Sequence, residues 1–557
     1  MKNRHIDLLD GMWDFVFLGE TEAPESLDPT EISYNDRMPV PSAYDAYPRY
    51  AGVRGTAVYR TFFTTPPKQS GFLRFSGTGM WNRIFVDGVE LKTFSLPYTP
   101  IDLPFPASEQ SKRELVVIND NRFDAQRVPL QEYYYDFYAY GGIYRSVEVH
   151  LPPPLYITEA RVNPVDLSSG DVDVILWVND KTQTSLSLDV WVDENQNAQH
   201  EVVLTEGVGT FRFNIPSPKL WTAETPHLYQ ISLQTEQDAW DTRIGFREIT
   251  VEDGQIQING TPVKLLGYCH HEAHPQFGPA LSIQTHVQDL QLMKDMGCNF
   301  IRGSHYPMDP AFLDLCDELG FYVFQESLGW GNREKNFSNE DFHQSQLEQT
   351  RKMIRSSWNH ACVIIWGYLN EGASNEEFSG PLYRELYELC KQEDPTRPAT
   401  YASMYPFEDL FFEHCDLISI NNYPGWYAQL DKVRPLDEID ALFDKIFIHL
   451  EKAGLSHKPF IISEIGAGAI YGWRDPLKAH WSEEYQLDYL DTICKRVVED
   501  QRINGVALWQ FCDGRTYSSA QALQRPRAFN NKGTFDEYRR PKMSYAAVKK
   551  YFTSFKG

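Results

Sequence analysis

The sequence predicts a multidomain α and β protein: two N-terminal β-sandwiches followed by a C-terminal (β/α)8 barrel. Three observations carry this prediction. Residues 1–151 hold short strand-like runs punctuated by Gly and Pro, without long helical periodicity. Residues 152–249 alternate apolar and polar side chains with period two, the pattern of half-buried strands. Within residues 250–557, apolar runs alternate with amphipathic segments, about eight strands in all, which is the number a parallel barrel needs.

In the first domain VYRTFF (58–63) and LRF (73–75) read as strands, and RIFVDGVEL (83–91) as a hairpin turning at Asp87-Gly88. LPPPLY (151–156) marks the boundary. Beyond it DVDVILWV (171–178) places Val172, Val174, Leu176 and Val178 on one face, and SLSLDVWV (185–192) does the same with Leu186, Leu188, Val190 and Val192. An immunoglobulin-like sandwich ending near Gly245-Phe246-Arg247 follows from these strands.

The barrel opens with TPVKLLGYCH (261–270) as a strand. Thr285 to Met296 then carries Val287, Leu290, Met293 and Met296 on one helical face, with Gly297 as the cap. CNFIRGSH is the next strand. Asp309-Pro310 opens a helix as N-cap and first-turn proline, with Phe312, Leu313, Cys316 and Leu319 inward and Gly320 closing it. FYVFQE and runs at 363–368, 399–403, 416–420, 459–463 and 504–511 complete the strand set. These are continuous apolar runs, as strands buried on both faces require.

Composition narrows the function. The 557 residues are 42% hydrophobic and 14% aromatic, which fits a packed globular protein and excludes disorder. A net charge of -25 argues against sequence-independent binding to nucleic acid. All eight Cys fall between Cys269 and Cys512 with no CxxC, so free buried thiols in a reducing compartment are expected. The opening MKNRHIDLLDGMWDF has no apolar signal-like core and no run is long enough to span a bilayer, so the expectation is a cytoplasmic protein without membrane partners. The oligomeric state stays open, a homo-oligomer included.

In a barrel, residues at the C-terminal strand ends converge on one pocket. Those ends supply His270-His271-Glu272, Ser304-His305-Tyr306, Gln325-Glu326, Asn370-Glu371, Asn421-Asn422-Tyr423, Ser463-Glu464 and Trp509. VIIWGYLNEG (363–372) and PFIISEIGAG (459–468) each end a buried apolar run on a glutamate. Two carboxyl groups facing one pocket suit glycoside hydrolysis, in which one donates a proton and the other attacks the anomeric carbon. HHEAH (270–274) raises zinc as an alternative. However, the segment follows a strand and precedes Pro275, whereas a zincin needs its two His one turn apart on a helix.

LDGMWDF (9–15), YGGIYRSV (140–147), LWTAETPHLY (220–229), IGFREI, HHEAHP, IRGSHYP, NHACVIIWGYLNE and ISEIGA occur in the order found in glycoside hydrolase family 2, which the whole chain resembles. The family comprises β-galactosidases, β-glucuronidases and β-mannosidases. Ala223 replaces its usual linker proline, and His360-Ala361 its His-Pro. The resemblance implies a jelly-roll first domain, Glu371 as acid/base and Glu464 as nucleophile. It further implies that Asn370 binds the sugar 2-hydroxyl, that His271, His305, Tyr423 and Trp509 line the pocket, and that Asp136 enters it from the first domain.

FNNKGTF (529–535) resembles the N-x-K-G motif of the β-glucuronidases, whose Asn and Lys bind the sugar carboxylate, here Asn530 and Lys532. Arg525, and Trp426 with Tyr427 in NNYPGWY (421–427), resemble further residues of that group. The expectation is a retaining exo-β-glucuronidase, its carboxyls about 5–5.5 Å apart, with no metal or organic cofactor. A β-galacturonidase or β-galactosidase on the same scaffold is the alternative, and an idle carbohydrate-binding protein a more distant one. The stretch from Gly329 to Arg351 is short, so an open pocket mouth is expected.

Overall fold

The computed structural model describes residues 4–20, 23–124, 126–130, 137–427, 435–517 and 525–555. The chain divides into two compact units. One comprises Met1–Arg122, Tyr140–Glu248 and Arg355–Ala361; the other comprises Phe123–Ala139, Ile249–Ile354 and Cys362–Gly557.

The first unit is all β. A four-stranded antiparallel sheet (His5–Leu8, Val147–Leu151, Gly71–Phe75, Ile101–Phe105) and a six-stranded one (Asp36–Val40, Gly11–Gly19, Thr56–Thr64, Lys112–Asp120, Trp81–Val86, Val89–Phe94) make the jelly-roll sandwich. Asp87 and Gly88 turn the expected hairpin, both at positive φ, the geometry a two-residue turn requires. Seven further strands between Ile157 and Ile244 form the immunoglobulin-like sandwich. Along Asp171–Val178 the odd positions are half-buried and the even ones buried, so the four predicted residues enter the core.

The second unit holds a closed parallel barrel of eight strands. They are β1 (Leu265–His270), β2 (Phe300–Gly303), β3 (Tyr322–Glu326), β4 (Val363–Asn370), β5 (Ala399–Ser403), β6 (Ile418–Asn421), β7 (Phe460–Ile465) and β8 (Ile503–Leu508). Every residue of all eight is buried. Burial explains why the sequence shows runs here instead of alternation. In β4 Val363, Ile364, Ile365 and Trp366 are wholly inaccessible, and each aliphatic side chain so buried contributes about 1.5–3 kcal/mol.

The helix after β1, Ile283–Asp295, is N-capped by Ser282, and the one after β2, Pro310–Leu319, by Asp309 with Gly320 in the left-handed conformation at its end. Leu319 departs from expectation: at the last helical position it stays partly exposed. Between β5 and β6 only a short turn, Phe412–His414, replaces a helix. All eight cysteines are buried and none forms a disulfide, as expected from the sequence. No helix among the described residues is long and apolar enough to cross a membrane.

Candidate active site

Glu371 follows β4 directly and has φ 52°. A non-glycine residue in this region costs about 1–3 kcal/mol, and such strain collects at functional sites. Its backbone is held by the Ala402 carbonyl, which accepts its N–H at 2.8 Å, and its own carbonyl accepts from Arg333 at 3.3 Å. Glu464 lies within β7, one residue before its end, and is buried.

Two hydrogen-bonded paths join the glutamates. Arg302 of β2 donates from Nη1 to Glu464 Oε1 at 2.8 Å and from Nη2 to Asn370 Oδ1 at 2.8 Å. Asn421 of β6 donates from Nδ2 to Glu371 Oε1 at 3.0 Å and to Asn370 Oδ1 at 2.9 Å, while its own Oδ1 accepts from the Ser463 hydroxyl at 2.7 Å. Tyr423, two residues further on, donates its phenol to Glu464 Oε2 at 2.6 Å. Burial and the neighbouring Glu464 push the Tyr423 phenol well above its ordinary value, so it stays a donor. Both carboxylates therefore belong to one polar cluster at the C-terminal barrel mouth.

With Asn370 Oδ1 taken twice, its amide nitrogen Nδ2 is buried and has no partner among the described residues. A buried donor left over beside two carboxylates is the group a ligand hydroxyl would satisfy.

The aromatic wall is built from His305, Trp509 and His271. His305 stacks on Trp509 at 5.1 Å, and His271 meets the same indole edge-on at 5.3 Å. His305 Nδ1 lies 2.8 Å from Glu326 Oε1. Glu326 also accepts from Arg302 at 2.6 and 3.0 Å. Burial pushes its carboxyl up to about 7, outweighing the Arg302 guanidinium, a charge that Glu326 shares with Glu464.

At the far end of the cluster Lys532 is turned inward and only 2% exposed. Its Nζ donates to the Tyr427 phenol oxygen at 2.6 Å and sits 5.4 Å from the Tyr423 ring centre. Arg525 Nη2 reaches the same Tyr427 oxygen at 3.3 Å. Trp426 is 5.9 Å from the Lys532 ammonium. Asn530 is buried, and its Oδ1 accepts the Lys532 backbone N–H at 3.3 Å. Two cations on one phenol oxygen make an end of the pocket suited to an anionic group.

Not every strand-end residue points here. His270 turns outward to Asp289, at 3.1 Å, and stacks on Phe312. Glu272 accepts from the Asp309 N–H at 2.7 Å, and His274 packs on Phe277. HHEAH thus scatters its side chains and gives only His271 to the wall. Asp136 lies outside the described residues. Four contributors had no predicted role: Arg302, Asn421, Glu326 and Phe137, whose ring lies 5.1 Å from His271. An arginine inside the apolar run of β2 was the signal for the first, and strand-end position marked Asn421 and Glu326; nothing local marks Phe137.

Residues 249–557 match the family model described as glycosyl hydrolases family 2, TIM barrel domain, and residues 155–247 match glycosyl hydrolases family 2. The β-glucuronidase of Streptococcus agalactiae serotype V is 26% identical over 605 residues, which cover 99% of this chain and 96% of that one. A GH2 β-galacturonidase from Eisenbergiella tayi, bound to glycerol, superposes with a TM-score of 0.91 at 35% identity, covering 100% of this chain and 97% of that one. The β-glucuronidase of Ruminococcus gnavus in complex with D-glucaro-d-lactam gives 0.87 at 25% identity, covering 99% and 98%. Sequence order, barrel and matched models agree, and the chain belongs to glycosyl hydrolase family 2.

Proposed function

We propose that this glycoside hydrolase is a retaining, exo-acting β-glycosidase that removes β-D-glucuronosyl groups. Glu371 protonates the departing aglycone oxygen while Glu464 attacks the anomeric carbon, giving a glycosyl-enzyme ester. Glu371, now ionised, takes a proton from water, and the water oxygen displaces Glu464. Arg302 and Tyr423 each hold one oxygen of Glu464, so the attacking carboxylate is oriented before substrate arrives. Asn370 Nδ2 is placed to donate to the sugar 2-hydroxyl.

The observation that carries the uronide reading is the buried Lys532 ammonium, one tyrosine away from Glu464. A sugar carboxylate drawn out of water needs a cation and hydrogen bonds to offset lost hydration. A plain hexose offers no such charge.

The same cations would serve a galacturonide, which differs at the 4-hydroxyl. The 35% identity to the Eisenbergiella tayi β-galacturonidase favours keeping that as the second reading. Kinetics on glucuronide, galacturonide and galactoside with one shared aglycone test both. The glucuronide should be turned over best, and Lys532→Ala should cost the acidic substrates about 10–100-fold while sparing the galactoside. A galactoside preference with a silent Lys532→Ala would refute the carboxylate argument.

A further inference from the structure

Lys532 belongs to a four-residue segment, Asn530 to Gly533, whose side chains divide between two sides. Lys532 faces the Tyr427 phenol and the Tyr423 ring, and Asn530 Oδ1 accepts the Lys532 N–H; Asn531 is turned the other way, its Nδ2 donating to Asp513 Oδ2 at 3.1 Å. The other oxygen of that carboxylate accepts the Gly533 N–H at 2.9 Å. Asp513 thus grips the segment on both sides of Lys532.

Asp513 is itself fixed by Lys542. The Lys542 Nζ lies 2.7 Å from Asp513 Oδ1 and also donates to the Asn531 carbonyl at 3.1 Å and the Ala469 carbonyl at 2.8 Å. Both side chains of this ion pair are wholly inaccessible to solvent. Burial pushes the Asp513 carboxyl up to about 6 even with Lys542 beside it. A buried pair of this kind is a weak source of stability, and its best-attested use is to fix one arrangement among several.

Further backbone bonds hold the segment, although Asn531 Oδ1 is buried without a partner among the described residues. Gln486 donates to the Ala467 carbonyl at 2.9 Å and the Gly533 carbonyl at 3.0 Å. The Gln510 N–H donates to the Lys532 carbonyl, and the Gln510 carbonyl accepts the Thr534 N–H, each at 3.1 Å. Gly533 admits no side chain: a Cβ there would lie 2.3 Å from both Asp513 N and Phe535 O. The lysine is flexible in itself, with four rotatable bonds, so its aim depends on how rigidly its backbone is mounted.

We propose that Asp513, paired with Lys542, is the positioning residue for uronide recognition: it clamps the 530–533 segment from behind and so holds the Lys532 ammonium where it meets the sugar carboxylate. This rests on the uronide reading above. Neither Asp513 nor Lys542 touches Glu371 or Glu464, so the effect falls on binding of the acidic sugar and not on bond cleavage.

The test uses the full chain with Asp513→Asn, and with Asn531→Ala, which cuts the side-chain link on one side of Lys532 but keeps the Gly533 link and the ion pair. Thermal melts establish that each variant is folded. In both, KM for the preferred uronide should rise about tenfold or more, the cost of a misplaced binding group, with kcat largely retained. The preference for uronide over the neutral glycoside should shrink accordingly. Asn531→Ala decides the matter if Asp513→Asn does not fold. Folded variants with an unchanged uronide KM, or with uronide and neutral glycoside impaired alike, would overturn the assignment. A wild type without any preference for uronides would overturn both this and the reading beneath it.

Discussion

One guanidinium spans the two halves of the candidate catalytic pair: Arg302 lies 2.8 Å from Glu464 Oε1 and 2.8 Å from Oδ1 of Asn370, the residue preceding Glu371. It is also 2.6 Å from Glu326, with no exposure to solvent. A planar fork can serve three acceptors at fixed angles; an ammonium cannot.

Arg302→Lys should therefore keep the charge and lose the geometry. Its kcat on the preferred substrate should fall about a hundredfold, with a smaller change in KM. Arg302→Met should in addition lose about 3–5 kcal/mol of stability, because it strands a buried carboxylate. Steady-state kinetics and urea unfolding measure the two effects. A lysine variant within a few-fold of wild type would count against the orienting role.

Glu326 should write a pH signature into stability. Its carboxyl titrates at about 7 when folded, against an ordinary value of 4.5. Between these values the folded state holds a proton that the unfolded chain has lost, so stability falls as pH rises across the window. The loss is on the order of 3 kcal/mol. Glu326→Gln stays neutral throughout, so its melting temperature should vary less over this range. Asp513, raised in the same sense, is present in both proteins and cancels in the comparison. Parallel pH curves for the two proteins would refute this.

Tyr427 joins the two pocket cations, accepting from Lys532 at 2.6 Å and Arg525 at 3.3 Å. Tyr427→Phe removes the shared acceptor and leaves both cations without it. A hydrogen bond to a charged group is worth about 1.5–3 kcal/mol, so uronide KM should rise roughly tenfold while neutral glycosides are unaffected. Equal losses on both substrate types would show that Tyr427 only packs.

The barrel and its two candidate acids were legible because their signals are local. Apolar runs mark β4 and β7, with Glu371 directly after the first and Glu464 next to last in the second. The predicted end of β7 fell short of Glu464, since no periodicity fixes where a fully buried strand stops. Partners distant in the chain were not legible. Asn421 could be placed at a strand end, but its bonds to Glu371 and Ser463 depend on how β4, β6 and β7 line up in the closed barrel. His270 and His271 are neighbours with opposite fates, because successive side chains leave a strand on opposite faces.

The most direct test is to trap the covalent intermediate. A fluorosugar uronide inactivator, of the configuration that the enzyme turns over best, slows the second step and leaves the sugar on its nucleophile. Peptide mapping by mass spectrometry should find one adduct, on the peptide carrying Glu464, and none on Glu464→Gln. Label on another carboxylate, or continued turnover without any adduct, would contradict the assignment of Glu464 and the retaining mechanism built on it.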